Sequence, residues 1–262
     1  MKLPRFPLFV PAHRPERYPK AAESGADAVI LDLEDAVPAA DKAAARAGVA
    51  GRPALPVPVI VRINAADSPW FAADLAMLAG AAPDAVMVPK ATDPGQLQGL
   101  IEALEGRVAL IALIESARGL ARTAALLAPD GVVGAAFGHL DFAVDLGCSP
   151  DWEALLLARQ TLVLQSRLAQ RPAPLDGVTV RLDAPQAAAE DAARAKALGF
   201  GGKLLIHPRQ VAGVRQAMLP SAAELDWARR IVAAAGDGGA VQLDGEMIDP
   251  PVLARARAML DS

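Results

Sequence analysis

Residues 109–115 read ALIALIE: six aliphatic side chains from Ala109 to Ile114, then a glutamate. A run of this kind belongs in the driest part of a protein, where an unpaired carboxylate costs several kcal/mol. The apolar residues do not alternate with polar ones. That pattern fits a strand covered on both faces, as in a parallel sheet, and not one with a wet side. Glu115 therefore needs a polar site of its own at the strand's end.

The same pattern recurs on either side of this stretch. PLFVP (7–11), AVILDLED (28–35), VIVRIN (59–64), AVMVPK (85–90), GVVGAAFG (131–138), GVTVRLD (177–183) and KLLIHP (203–208) are further short apolar runs that end near polar or turn-forming residues. Helix-period stretches fill the gaps. After Asp93-Pro94, a cap followed by proline, Leu97, Leu100, Ile101 and Leu104 share one face. Trp152, Leu155, Leu156, Leu162 and Val163 mark a longer helix; Val211, Val214 and Met218 mark another, and Leu225, Ala228, Ile231 and Val232 a further one. Eight strands alternating with helices predict a (β/α)8 TIM barrel over residues 1–219, with a short C-terminal helical extension over 220–262. An open doubly wound sheet would declare itself by a glycine-rich turn opening a helix. GFGGK (199–203) precedes a strand instead, so its glycines are read as closing a helix and turning the chain.

Composition narrows the function class. The 262 residues carry a net charge of −4 with both signs interspersed, which argues against a nucleic-acid footprint or a polybasic membrane anchor. No apolar run reaches membrane-spanning length, and the N-terminal apolar stretch is too short for the core of a signal peptide. A single cysteine, Cys148, excludes an internal disulfide framework. The expected home is the cytoplasm.

In a barrel of this type, chemistry sits at the C-terminal ends of the strands. Those ends bring Asp32, Glu34 and Asp35, then Arg62, Lys90, Glu115, Asp141 just past Phe137-Gly138, and His207. Several carboxylates with no histidine or cysteine cluster favour a hard cation, Mg²⁺ or Mn²⁺, with Glu115 and Asp141 as the natural pair. Arg62 offers a planar fork for a carboxylate. A metal beside it suits an α-oxo acid and carbon–carbon bond chemistry next to a carbonyl. Plainer roles stand beside these. Glu115 can be a salt-bridge partner, Asp32 and Asp35 can cap the next helix, and Lys90 can be a solvated lysine. Asp249 reads as a helix N-cap before Pro250, and His13, His139 and His207 are assigned to no metal. Composition and spacing thus reach a cytosolic barrel enzyme with an acidic, metal-binding mouth.

Taken together, LFVPAHRPERYPKA, GADAVILDLEDAVPAADKAAAR, VRIN, VPK, LIES, FGHLDFAVDLG, LGFGGKLLIHPRQV and DGEMIDPP resemble the citrate lyase β-subunit-like family, which includes malyl-CoA and citramalyl-CoA lyases within the HpcH/HpaI aldolase superfamily. The resemblance implies a Mg²⁺-dependent lyase that cleaves or forms a 3-hydroxyacyl-CoA thioester, giving acetyl-CoA and an α-oxo acid. It implies Glu115 and Asp141 as metal ligands and Arg62 as the arginine that holds the oxo acid. Phe9, Arg14 and Lys20 correspond to positions against the CoA part, and Ser116, Ile206 and His207 to further substrate-lining positions. Asp249 matches an aspartate that enters a neighbouring subunit's active site as acid/base, which implies an obligate homotrimer or homohexamer and reverses the capping preference. Two departures stand out: Arg5-Phe6-Pro7 replaces a common Arg-Ser, and Asp35 stands where hydroxy-oxo-acid aldolases place a histidine. Alternatives are a class II aldolase on a free 4-hydroxy-2-oxo acid, a citrate lyase β subunit working on an acyl-carrier-protein thioester, and a silent interaction subunit.

Overall fold

The structure is a computed structural model that describes residues 1–235, 241–243 and 246–260. The chain divides into two compact units, Met1–Val214 and Arg215–Ser262. In the first, eight parallel strands follow one another in chain order: β1 (Pro7–Pro11), β2 (Ala28–Asp32), β3 (Val59–Arg62), β4 (Ala85–Val88), β5 (Ala109–Ile114), β6 (Val132–Phe137), β7 (Leu175–Asp176) and β8 (Gly202–Lys203). The ring closes where Leu8 bridges Leu205, with Phe9 N–H donating to Leu205 O at 2.8 Å and Leu205 N–H to Pro7 O at 3.0 Å. This is the (β/α)8 barrel that the sequence pattern predicts. Among the described residues no helix is long and apolar enough to cross a membrane.

The first six strands are apolar up to their last residue because the barrel leaves neither face wet. Inward residues such as Ile30, Ile60, Met87, Ile111, Leu113 and Leu204 form one core cluster. Outward residues of the same strands, Val29, Leu31, Val61 and Val86 among them, are equally buried. Helices alternate with the strands: α1 (Tyr18–Ala22), α2 (Lys42–Ala50), α3 (Phe71–Ala81), α4 (Pro94–Ala103), α5 (Ala117–Ala121), α6 (Thr123–Leu126), α7 (His139–Leu146), α8 (Leu156–Leu168), α9 (Pro185–Leu198) and α10 (Pro208–Met218). Asp93 caps α4, its side chain accepting from Gly95 N–H, and the Leu97, Leu100 and Leu104 face is buried. Gly199 ends α9 at φ +97, as the GFGGK stretch suggests.

Two strands differ from their expected places; β8 ends at Lys203, the first residue of KLLIHP, with Leu205 adding one bridge. GVTVRLD (177–183) forms no strand; the seventh strand is Leu175–Asp176, immediately before it. Val180 and Leu182 are exposed. The reason is tertiary. Asp176 must stop beneath Arg159 and Lys203, as described below, and the β-branched residues that follow run out over the rim. Trp152 likewise precedes α8 and does not belong to it.

The second unit holds the helix Ala222–Ala235, an antiparallel pair formed by Val241–Leu243 and Glu246–Ile248, and the terminal helix Pro250–Leu260. Ala228, Ile231, Ile248 and Ala256 make its small core. Both helices match the sequence reading, and the strand pair is additional.

Candidate active site

The turn after β2 sets the geometry of the mouth. Asp32 ends the strand and folds the turn back on itself, accepting from Glu34 N–H at 2.9 Å and Ala36 N–H at 3.1 Å. This is the capping behaviour of a short polar side chain. The same carboxylate accepts from Arg62 Nε and Nη2, each at 2.7 Å. The fork at the end of β3 is thus engaged side-on by the end of β2. Arg62 Nη1 lies 3.1 Å from Glu34 Oε2 and 3.3 Å from Asp35 Oδ2, and the guanidinium sits 5.0 Å above the Phe9 ring. Burial works against the arginine's charge, but Asp32, its hydrogen bonds, Glu34 and Asp35 outweigh it and raise the pKa, so Arg62 stays charged.

Behind this turn a buried ammonium holds the backbone. Lys42 Nζ donates to Leu33 O at 2.6 Å, Glu34 O at 2.8 Å and Asn64 Oδ1 at 2.6 Å, and lies 4.8 Å from the Trp70 ring centroid. Asn64 in turn donates to Asp74 through Nδ2 and its own N–H. Two loops that carry the charged groups of β2 and β3 are fixed by one set of charge-assisted bonds.

Glu115 follows β5 and is only 4 % exposed. Its Oε2 accepts from Lys90 N–H at 2.7 Å. Lys90 reaches that position in the left-handed region, at φ +49, a conformation rare for a side chain that is not glycine. On the other side, a Cβ at Gly138 would collide with Glu115 Cγ, so glycine there makes room for the carboxylate. Burial, the Glu34 carboxylate and Asp141 push the Glu115 carboxyl up to about 8, against the pull of the Lys90 N–H and Arg62. Glu34 is pushed up to about 7, first by burial. Its oxygens make ion pairs with Arg62 and, at 3.8 Å, with Lys90 Nζ, but neither pair has hydrogen-bond geometry.

Asp141 stands in the first turn of α7, exposed. Arg62, Phe9, Glu115, Asp141 and Ile206 line one cavity of about 340 Å³ at the mouth. Ser116 joins Glu115 and Asp141 in an adjoining cleft of about 710 Å³ and also caps α5, accepting from Gly119 N–H at 3.1 Å. His207 lines neither space. Its Nδ1 accepts from Arg209 N–H at 3.1 Å, and burial with nearby Arg209 and Lys20 lowers its pKa. Arg14 is exposed and paired with Glu16 at 2.7 Å. Asp249 caps the terminal helix of the second unit, its Oδ1 accepting from Val252 N–H at 3.1 Å.

The donors at the mouth suit a hard divalent ion. Among the described residues no group of three or more His, Cys, Asp or Glu side chains is arranged to hold a metal. Magnesium needs no such group, because one or two carboxylates suffice when water and substrate oxygens complete its shell. Glu115 and Asp141 supply two.

Comparison with known proteins decides the family. Residues 5–208 match the model for HpcH/HpaI aldolase/citrate lyase. The chain belongs to the HpcH/HpaI aldolase/citrate lyase family. It is 41% identical over 261 residues to a citrate lyase subunit beta-like protein of Mycobacterium tuberculosis, covering 97% of this chain and 93% of that one. It is 32% identical over 272 residues to a (3S)-malyl-CoA thioesterase of Cereibacter sphaeroides, covering 97% and 92%. The structure is similar to the crystal structure of protein CitE from Mycobacterium tuberculosis in complex with magnesium, acetoacetate and coenzyme A, with a TM-score of 0.88, 39% identity, and 98% and 97% of the two chains covered.

The HpcH/HpaI aldolase/citrate lyase match spans every mouth residue described above and stops before Asp249. It also spans a second buried charge cluster that sequence reasoning missed. Asp176, ending β7, accepts from Arg159 Nε at 2.9 Å and Lys203 Nζ at 3.1 Å. Burial raises its pKa, but Lys203 and Arg159 outweigh that and lower it overall. Arg159 also lies 4.1 Å from the Trp152 ring centroid. His139 is buried nearby, pushed down to about 4 chiefly by burial, and lines the mouth cavity as a neutral ring. One signal was available: Arg159 falls between Leu155 and Leu162 on the apolar face of a helix, where a charge requires a buried partner.

Proposed function

We propose that this member of the family is a magnesium-dependent carbon–carbon lyase that splits a 3-hydroxyacyl-CoA into acetyl-CoA and an α-oxo acid, or joins the two. The observation that carries this reading is the meeting of the buried Glu115 with Asp141 and Arg62 around one cavity. The magnesium and coenzyme A in the related CitE structure support it. Glu115 and Asp141 would hold the metal, Mg²⁺ or in its place Mn²⁺, which when bound supplies a Lewis acid for the oxygens of an oxo acid.

The chain's own groups do the rest. Asp32 occupies the side-on edge of Arg62, so the oxo acid's carboxylate meets the Nη1/Nη2 end, where the exposed Asp35 is the partner most readily displaced. Lys90 N–H holds one oxygen of Glu115 and leaves the other free. In the cleavage direction the substrate hydroxyl gives its proton to water and becomes the new carbonyl, while the carbon–carbon bond breaks. Its electron pair passes to the thioester's α-carbon, which takes up one proton and leaves as acetyl-CoA. Asp249 of a second copy exchanges that proton, and the reverse reaction uses it as base. Phe9, Arg14 and Lys20 face the CoA part, with His207 beside Lys20 on that side, and Ser116 and Ile206 complete the substrate's surroundings. The C-terminal extension therefore serves a homo-oligomer, a trimer or hexamer. Leu157, Leu164 and Leu168, exposed in one stripe along α8, support assembly.

The test is a mass-spectrometric screen of purified protein with Mg²⁺, acetyl- or propionyl-CoA and a panel of oxo acids. A new acyl-CoA that forms with the native chain and is lost in Glu115→Ala and Asp141→Ala is the expected result. Cleavage of a free hydroxy-oxo acid without any CoA thioester would replace this reading with an aldolase. Turnover intact in both variants would end it.

A further inference from the structure

The mouth cavity has two unlike walls. On one stand the carboxylates Asp32, Asp35, Glu115 and Asp141, with Arg62 as the one basic side chain lining this cavity among the described residues. At the β7–β8 end stand Val178, Leu204 and Ile206, with Phe137 and Leu140 between the two groups. We infer that the oxo acid handled here bears one carboxylate and a small apolar substituent on its carbonyl carbon, and that oxo acids with a second carboxylate are rejected. This rests on the reading above and narrows its substrate class.

Charge balance is the first argument. Arg62 has one edge engaged by Asp32 and contacts Glu34 and Asp35 through Nη1, so it has room for one incoming carboxylate. A second carboxylate would lie in the same space as four acidic side chains, whose charge Arg62 and a divalent ion on Glu115 and Asp141 do not fully offset, and would need a cation of its own. Nearby cations do not provide one. Lys90 lines the neighbouring cleft, and Lys20 sits near His207, outside the cavity lining. Arg159 and Lys203 stand behind the apolar wall, but they are buried and engaged by Asp176, and Lys203 also donates to Gly177 O. Burying a carboxylate without a partner is strongly unfavourable.

The second argument is what the apolar wall offers. A methyl or ethyl group placed against Val178, Leu204 and Ile206 leaves water for an apolar surface and gains by doing so. At about 340 Å³ the cavity holds such a substituent together with the reacting carbons.

The experiment uses the full chain with magnesium chloride and three probes: pyruvate, 2-oxobutyrate and oxaloacetate. Calorimetric titration gives the three Kd values, and condensation with acetyl-CoA is followed separately by mass spectrometry. Pyruvate and 2-oxobutyrate are expected to bind at least about tenfold more tightly than oxaloacetate. Val178→Lys, which sets an ammonium on the apolar wall, should shrink or reverse that ratio. Oxaloacetate binding as tightly as the monocarboxylates in the native protein overturns the inference, as does a ratio unmoved by the lysine, or no binding by any of the three. The two readings fail separately. Selective binding without any acyl-CoA product removes the lyase and keeps the selectivity; product formed best from oxaloacetate keeps the lyase and removes the selectivity.

Discussion

Replacing Glu115 by glutamine should make the metal-free protein more stable, and the gain should depend on pH. In the fold the carboxyl is raised from 4.5 to about 8, mainly by burial. The sign follows from linkage. Between those two values the folded state holds a proton that the unfolded state has released, so stability is highest near pH 4.5 and falls as pH rises toward 8. Near pH 7 the ionisation penalty is about 3 kcal/mol, from roughly 1.4 kcal/mol for each pH unit above the unfolded value. Glutamine carries no such penalty. It keeps an oxygen for the Lys90 N–H, and because the folded carboxyl is itself protonated below about pH 8, no charge assistance is lost. The net gain is therefore about 3 kcal/mol near pH 7, somewhat more near pH 8, and under about 1 kcal/mol near pH 5. The assay is urea unfolding in the presence of a chelator across that range, repeated with excess magnesium. Magnesium should stabilise the native chain as a ligand that binds only the fold, and should leave the variant unchanged. A variant no more stable than the native chain near pH 8, or one that magnesium stabilises equally, would refute the account of this carboxylate.

Other expectations follow from the same geometry. Gly138→Ala drives a methyl group into Glu115 and should weaken magnesium binding by about 10–100-fold, read by titration calorimetry; an unchanged affinity would show that the glycine makes no room for a ligand. Asp176→Ala leaves Arg159 and Lys203 buried without their shared anion and should cost about 3–5 kcal/mol in chemical denaturation, a prediction that fails if the loss stays under about 1 kcal/mol. Asp249→Asn should slow deuterium exchange at the acetyl-CoA methyl group by about 100-fold or more, measured by proton NMR, and exchange at the native rate would place the base elsewhere.

Much of the barrel was legible because burial on both faces leaves an unmistakable record. The runs ending at Asp32, Arg62 and Val88 are buried from end to end, those ending at Ile114 and Phe137 at all but one residue each, and the charged residues at or just beyond them mark where the chain reaches the mouth. Glu115 and Arg62 were readable for that reason. The seventh strand was not. It is two residues long, preceded by Pro172 and Pro174 and followed by Gly177, and locally it looks like a turn. Its position is set by Asp176 meeting Arg159 and Lys203, partners 17 and 27 residues away, which no local pattern encodes. The use of Arg62 was half legible. Its residue type announced a carboxylate partner, but that Asp32 of the same chain takes one edge depends on the register of β2 against β3, where Asp32 and Arg62 lie side by side.

The backbone pairing around the ring is uneven. Five residue pairs join β1 to β2 and four join β2 to β3, whereas a single pair, Ala136 with Leu175, joins β6 to β7 and two join β7 to β8. The well-laced half presents Asp32 and Arg62, whose spacing tolerates little error; the sparsely laced quarter presents Val178, Leu204 and Ile206, which only need to be greasy and the right size. Mutation can thus recut the thinly stitched side to admit a different molecule while the reactive side keeps its alignment, and a lineage built on this frame can change what it eats without relearning how to digest it.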